Sequence, residues 1–208
     1  MKFFVNFLSG FRIAAAFAII LTLLIAIYNP AISGAMYWIT FILFALGSIS
    51  DWFDGYLARK YNACSKLGGV LDHIGDKLLV VNTLIMLSIM MPMWYIVVPV
   101  IIMIARELYI SGLREFLGTQ KIEMPVPKAR FSMGKIKTTL QMISICAFLL
   151  IPTLGTLINP AAINPTFIRI LFMLSYISVA TLWLSLIASV WSATQYTMTF
   201  VGHLKKIK

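Results

Sequence analysis

The sequence predicts an all-α membrane protein with six transmembrane helices, both termini in the cytoplasm and a short N-terminal segment at the membrane surface. Hydrophobic residues make up 61% of the chain and charged residues 12%, whereas soluble domains carry about 45–50% and 25%. The mean hydropathy is +0.93. The apolar residues form six runs, each long enough to cross a bilayer core, which takes about 20 residues.

Prolines separate these apolar runs. Span one ends at Asn29-Pro30, Met91-Pro92-Met93 divides span three from span four, and span five is expected to end at Pro152, because proline interrupts helical hydrogen bonding. The six predicted spans are residues 11–28, 35–57, 68–91, 94–116, 135–151 and 166–198. The sequence shows no internal repeat, so we predict one domain, residues 1–208.

The positions of lysine and arginine predict the orientation. The loops after spans one, three and five contain neither residue, whereas the loops around 60–67 and 117–134 and both termini are basic. The positive-inside rule therefore puts both termini in the cytoplasm, with Lys2–Leu8 along the membrane surface and Arg169 as an exception at the outer side. The net charge of +10 beside apolar spans suits membrane lipid and phosphorylated substrates, and no nucleic-acid partner is expected.

Four of the seven carboxylates lie close together in the sequence. Asp51 and Asp54 are near the cytoplasmic end of span two, and Asp72 and Asp76 are near the cytoplasmic start of span three. A charged side chain at the centre of a membrane helix costs about 2.5–3.5 kcal/mol, and four neighbouring carboxylates repel one another. Such a cluster requires a cation.

The spacing of the aspartates indicates which cation. Asp51 and Asp54 lie within about 60° of each other on one helix face, and Asp72 and Asp76 within about 40° on the next. Spans two and three are joined by a short loop, so the two pairs can face each other. Four hard oxygen donors suit Mg²⁺ or Mn²⁺, and two such ions would suit an in-line phosphoryl displacement. An ion or proton carrier with functional acids is the alternative.

Small residues share the faces that carry the aspartates. Gly55 is one turn from Asp51, Ala58 is one turn from Asp54, and Gly68 is one turn before Asp72. Because these residues lack bulky side chains, a nucleotide and its pyrophosphate could approach the backbone there. Arg59 adds a fixed positive charge able to contact phosphate.

Together these residues form a known sequence signature. It consists of Asp51, Asp54, Gly55, Ala58, Arg59, Gly68, Asp72 and Asp76. In this pattern the chain resembles the CDP-alcohol phosphatidyltransferases. An ion or proton carrier would have no use for the glycine, alanine and arginine at these fixed positions. The segment between the last two aspartates, where the family commonly has a proline and an alanine, is His73-Ile74-Gly75. All eight signature positions are kept, so activity is expected.

The resemblance implies an activity and a setting. Asp51, Asp54 and Asp72 would bind one metal ion, Asp51, Asp72 and Asp76 a second, and Asp76 would be the general base. The CDP moiety of CDP-diacylglycerol would contact the small residues and Arg59. The resemblance also implies a homodimer in the bacterial cytoplasmic (inner) membrane, with its active site facing the cytoplasm.

Basic residues after the signature indicate the acceptor alcohol. Arg106 lies inside the otherwise apolar span four, with Arg114 two turns later and Lys135 after the next loop. Two arginines and one or two lysines, with Lys137 two positions after Lys135, suit a dianionic phosphate monoester. The segments around these residues resemble bacterial phosphatidylglycerophosphate synthases, whose acceptor is glycerol 3-phosphate. Inositol phosphate is an alternative acceptor, and Arg106 could instead pair with Glu107, with Arg114 a topological anchor.

Overall fold

The structure is a computed structural model that describes residues 2–61, 66–119, 133–158 and 164–207. For some helical residues in these ranges it describes the backbone and not the side chain. These are residues 2–6, 51–61, 66–68, 72, 119, 133, 135 and 203–207.

Six α-helices make up nearly all of the described chain. They are α1 (Lys2–Tyr28), α2 (Ser33–Tyr61), α3 (Lys66–Met90), α4 (Trp94–Thr119), α5 (Met133–Gly155) and α6 (Pro165–Ile207). Each is long and apolar enough to cross a membrane. A helix satisfies all its backbone hydrogen bonds internally, which a chain in hydrocarbon requires. The prediction of an all-helical protein with six transmembrane helices is therefore confirmed.

The predicted end of span five at Pro152 is wrong, because α5 continues to Gly155. Two threonine hydroxyls bond to backbone carbonyls in this last turn. Thr153 donates to the carbonyl of Leu149 at 2.7 Å, and Thr156 donates to the carbonyl of Thr153 at 2.7 Å. Membrane helices tolerate such a proline in their interior.

Two helices extend beyond the predicted spans. Helix α1 begins at Lys2, so the N-terminal segment expected at the membrane surface is helical and continuous with span one. Helix α6 has 43 residues and is therefore about 64 Å long. That length is about twice the thickness of a bilayer core, so α6 extends beyond the hydrocarbon.

The chain divides into two compact units by its internal contacts. The first unit contains Met1–Met91 and Ile145–Ser178, and the second contains Pro92–Ser144 and Val179–Lys208. Helices α5 and α6 each contribute to both units. The single domain expected from the sequence stays a prediction.

In the first unit, α1 packs along both α2 and α3. Ile19 of α1, Phe44 of α2 and Leu79 of α3 are completely buried. A hydrogen bond of 2.7 Å between the hydroxyls of Thr22 and Thr40 joins α1 to α2. Helices in lipid associate through such close packing and buried hydrogen bonds, because lipid tails are as apolar as the helices themselves.

In the second unit, side chains of α6 bond to α4 and α5. The indole of Trp183 donates to the carbonyl of Tyr95 on α4 at 3.0 Å. The hydroxyl of Ser185 donates to the carbonyl of Lys137 on α5 at 3.2 Å. These two bonds hold the part of α6 around Trp183 and Ser185 against α4 and α5.

Candidate active site

The signature lies on two unbroken helices of the first unit. Helix α2 stays helical through Asp51 and Asp54 to Tyr61, and α3 carries Asp72 and Asp76. The helical spacing assumed for each aspartate pair is therefore present in the backbone. The side chains of Asp51, Asp54, Gly55, Ala58, Arg59, Gly68 and Asp72 lie outside the described set. The metal cluster and the CDP contacts remain predictions.

Asp76 is the signature aspartate whose side chain is described. Its carboxylate forms an ion pair with Arg12 of α1, in which the guanidinium Nη1 donates to Oδ1. The side chain of Arg12 is 0% exposed and that of Asp76 is 35% exposed. Asp76 is thus paired with a buried cation, and its side chain is still partly exposed.

Gly75 lies where α3 approaches α1 closely. A Cβ atom at position 75 would lie 3.3 Å from the Cβ of Arg12 and 3.3 Å from the carbonyl oxygen of Ser9. Both distances are shorter than ordinary van der Waals contacts. Glycine at this position therefore allows the separation of α1 and α3 at which Arg12 meets Asp76.

Arg106 is held by protein groups in the second unit. Its guanidinium donates to the carbonyl of Ser189 at 3.1 Å, to the hydroxyl of Ser192 at 3.0 Å and to the carboxylate of Glu107 at 3.1 Å. Its side chain is 9% exposed. The pairing of Arg106 with Glu107 that the sequence left open as an alternative is present.

Glu107 connects two buried cations. Its Oε1 accepts from Arg106 and also from the ammonium of Lys137 on α5. The side chain of Lys137 is 10% exposed and that of Glu107 is 19% exposed. These three residues, which we term the charged triad, carry a net formal charge of +1.

Two further residues, Arg114 and Lys135, are expected to bind the acceptor phosphate, and the structure describes the side chain of Arg114. Arg114 is exposed, with its guanidinium carbon 5.4 Å from the centre of the Tyr196 ring, a cation–π arrangement. The side chain of Lys135 lies outside the described set. Of the two lysines at the start of α5, the structure describes the side-chain contacts of Lys137.

A groove of about 550 Å³ runs between α4 and α6 in the second unit. Its lining residues are Ile102, Ala105, Arg106, Tyr109, Val190, Ala193, Thr194, Thr197 and Met198. The hydroxyls of Tyr109 and Thr197 bond to each other at 3.1 Å. Apart from Arg106, the walls of the groove are mainly apolar and suit hydrocarbon rather than a phosphate.

The sequence offered Glu107 as an alternative partner of Arg106 but did not predict its ion pair with Lys137. The signal available was their presence in helices that are otherwise apolar, because ionisable residues within membrane spans commonly mark functional sites. The ion pair between Arg12 and Asp76 was not predicted either. The two residues are 64 positions apart, a separation that leaves no local pattern to detect.

Replacing Glu107 with glutamine is expected to destabilise the protein. The neutral amide keeps the shape of the side chain but removes the negative charge between Arg106 and Lys137. A hydrogen bond to a charged group contributes about 1.5–3 kcal/mol, which lowers the melting temperature by about 4–10 °C in a chain of this size. Thermal unfolding in detergent, followed by tryptophan fluorescence, measures the change. Glu115→Gln is the control because Glu115 is exposed on the same helix, and equal melting temperatures for the two variants would contradict the role of the charged triad.

Comparison with known proteins identifies the family. Residues 3–191 match the family model described as CDP-alcohol phosphatidyltransferase. Three relatives share the name "CDP-diacylglycerol--glycerol-3-phosphate 3-phosphatidyltransferase". The protein of Rickettsia bellii (strain RML369-C) is 43% identical over 145 residues, 70% of this chain and 74% of the relative.

The two other relatives extend the match. The protein of Blochmanniella floridana is 34% identical over 62% of this chain and 70% of its own length. The protein of Salmonella choleraesuis (strain SC-B67) is 30% identical over 88% of each chain. The region that matches the family model, residues 3–191, includes the whole signature on α2 and α3 and most of the six helices. This chain belongs to the CDP-alcohol phosphatidyltransferase family of transferases.

Proposed function

We propose that this chain transfers the phosphatidyl group of CDP-diacylglycerol to glycerol 3-phosphate, forming phosphatidylglycerol phosphate and releasing CMP. The observation that carries the proposal is the shared name of the three relatives, which states both substrates. The family match over residues 3–191 supports the reaction type. The charged triad supports a phosphorylated acceptor, because it provides a net positive charge in a largely buried setting.

We propose that Asp51, Asp54, Asp72 and Asp76 hold two Mg²⁺ or Mn²⁺ ions. The donor set fits these ions, because all four are hard carboxylate ligands and each pair lies on a helix that is unbroken at that point. When bound, the ions would neutralise the pyrophosphate and stabilise the charge that develops on the transferred phosphoryl group.

The remaining signature residues act on the donor substrate and on the proton. Gly55, Ala58 and Gly68 leave room for the CDP moiety, and Arg59 pairs with its phosphate. Asp76 accepts the proton of the primary hydroxyl of glycerol 3-phosphate as that oxygen attacks the phosphorus bearing the diacylglycerol. The bond from this phosphorus to the oxygen of CMP breaks, and CMP leaves.

Arg106, Arg114 and Lys135 bind the phosphate of the acceptor in this proposal. A guanidinium presents a planar fork that matches phosphate oxygens. The bonds from Arg106 to Ser189 and Ser192 hold its guanidinium in place, so less side-chain freedom is lost when an anion binds.

We further propose that the reaction takes place at the cytoplasmic face of the bacterial inner membrane. The bias of lysine and arginine toward one side of the predicted spans supports this orientation. The acyl chains of CDP-diacylglycerol would then stay in the cytoplasmic leaflet while its headgroup reaches the signature. A homodimer is expected from the family resemblance.

Release of CMP by the purified protein tests the proposal. CDP-diacylglycerol is offered with glycerol 3-phosphate, inositol phosphate or serine in the presence of Mg²⁺, and CMP is expected with glycerol 3-phosphate. Faster release with inositol phosphate would replace the acceptor and keep the reaction type. A reconstituted protein that dissipates a proton or Mg²⁺ gradient and forms no CMP with any acceptor would contradict the enzyme and favour a carrier.

A further inference from the structure

We propose that Arg12 is a positioning residue for Asp76, and that Gly75 sets the helix separation at which the two residues meet. The inference rests on the proposed function in one respect, which is the role of Asp76 in the reaction. The sequence signature does not include Arg12, which lies on a different helix, 64 residues before Asp76. The N-terminal helix thereby becomes part of the active site.

The burial of Arg12 indicates more than an anchor at the membrane surface. Arginines that anchor membrane helices extend their charged ends into water. The side chain of Arg12 is 0% exposed, and it lies within the apolar segment Phe7–Tyr28. Burial of a charged arginine is unfavourable unless an anion pairs with it. The carboxylate of Asp76 is such an anion.

The exposure of Asp76 fits a residue that is held and still available. Its side chain is 35% exposed, so part of it stays accessible while the carboxylate is paired with Arg12. A guanidinium bonded to Oδ1 restricts the rotation of this carboxylate. It also offsets one of the four negative charges of the proposed metal site. Catalytic groups need such support, because a misplacement of about 1 Å can cost on the order of 10²-fold in rate.

The geometry depends on Gly75, the residue before Asp76. An added methyl group would press on the Cβ of Arg12 and the backbone oxygen of Ser9, both at 3.3 Å. Neither atom can rotate away, because each is part of the α1 backbone or fixed directly to it. Helix α1 would have to move by a few tenths of an ångström and would carry Arg12 with it. Ser9 and Ala16 of α1 are 0% exposed, which shows that small α1 residues are tightly enclosed here.

The first test measures the ion pair without metal. Melting temperatures are compared in EDTA for the wild type, Arg12→Met, Asp76→Asn and the double variant. Each single change is expected to lower the melting temperature by about 4–8 °C. The double variant is expected to lose clearly less than the sum, because each single change alone leaves one charge without its partner. Additive losses would overturn the proposal.

The second test measures positioning through turnover. Arg12→Met is expected to lower kcat by about 10- to 100-fold and to change the KM of either substrate less than about threefold, with partial recovery in Arg12→Lys. Gly75→Ala, which keeps both charges, is expected to lower kcat by about 3- to 10-fold. Gly10→Ala is the matched control, because a Cβ there meets nothing within 4 Å, and its kcat is expected to stay at the wild-type value.

These measurements separate a structural role from a positioning role. If Arg12→Met melts earlier but keeps its kcat per folded protein, Arg12 only stabilises the helices and the proposal is wrong. Equal kcat values for Gly75→Ala and Gly10→Ala would also overturn it. The kcat ratios are measured with whichever acceptor releases CMP fastest, so an error in the proposed acceptor leaves this test intact. An error in the role of Asp76 appears separately, as full activity in Asp76→Asn.

Discussion

Asparagine in place of Asp51, Asp54 or Asp72 is expected to reduce CMP release by on the order of 10³-fold, with the protein still folded in its membrane. Each change removes one charged oxygen donor while keeping the size of the side chain. Because a divalent ion is held by few carboxylates, loss of one donor weakens its binding and its alignment with the phosphates. Rates of CMP release with purified variants in Mg²⁺ or Mn²⁺ measure the effect.

Melting temperatures without metal distinguish these three aspartates from the fourth. In EDTA, loss of Asp51, Asp54 or Asp72 is expected to leave the melting temperature unchanged or raised, because repulsion within the cluster falls. Asp76→Asn is expected to lower it, because the buried Arg12 loses its carboxylate partner. Addition of Mg²⁺ should raise the melting temperature of the wild type more than that of any variant. Undiminished CMP release in EDTA would contradict a metal-dependent reaction.

Neutral substitutions of Arg106, Arg114 and Lys135 are expected to act mainly on the acceptor substrate. Each should lower kcat/KM for glycerol 3-phosphate by about 10- to 100-fold, because a hydrogen bond to a charged group contributes about 1.5–3 kcal/mol. The KM for CDP-diacylglycerol should change little, since its pyrophosphate is proposed to bind the metal ions and Arg59. Arg106→Lys should also be impaired, because an ammonium cannot reproduce the planar fork.

The contacts of Arg106 make the stability control essential. Its bonds to Ser189, Ser192 and Glu107 mean that substitution will also lower the melting temperature, so kinetics must be compared at equal amounts of folded protein. Arg114 gives the cleaner variant, because it is exposed. Arg169→Gln is the matched control, an exposed arginine predicted at the opposite membrane face. If acceptor kinetics match that control in all three variants, these residues are structural and the physical argument for a phosphorylated acceptor is lost.

The sequence determined the helices because their formation in a membrane is a local property. A run of about 20 apolar residues must satisfy its backbone within itself, so hydropathy predicted six helices, and Pro92 marked the break between spans three and four. The prediction that span five ends at Pro152 was wrong, because α5 continues to Gly155 and membrane helices tolerate proline in their interior.

The signature was equally visible in the sequence, because its residues are separated by fixed numbers of helical positions on two consecutive helices. Asp51 and Asp54, and likewise Asp72 and Asp76, share helix faces by spacing alone. That arithmetic requires no knowledge of how the helices pack. It supplied the candidate metal ligands, and the family resemblance carried by the signature implied the reaction type, before any tertiary contact was known.

Only the tertiary structure decided which charges meet. Asp76 pairs with Arg12 across 64 residues, Lys137 with Glu107 across 30, and Arg106 with the backbone of Ser189 across 83. Each pairing depends on the rotation and separation of two helices. Hydropathy constrains neither of them, because lipid and the helix interior are similarly apolar. Small residues such as Gly75 set the separation, and the buried charges then select the partner that satisfies them.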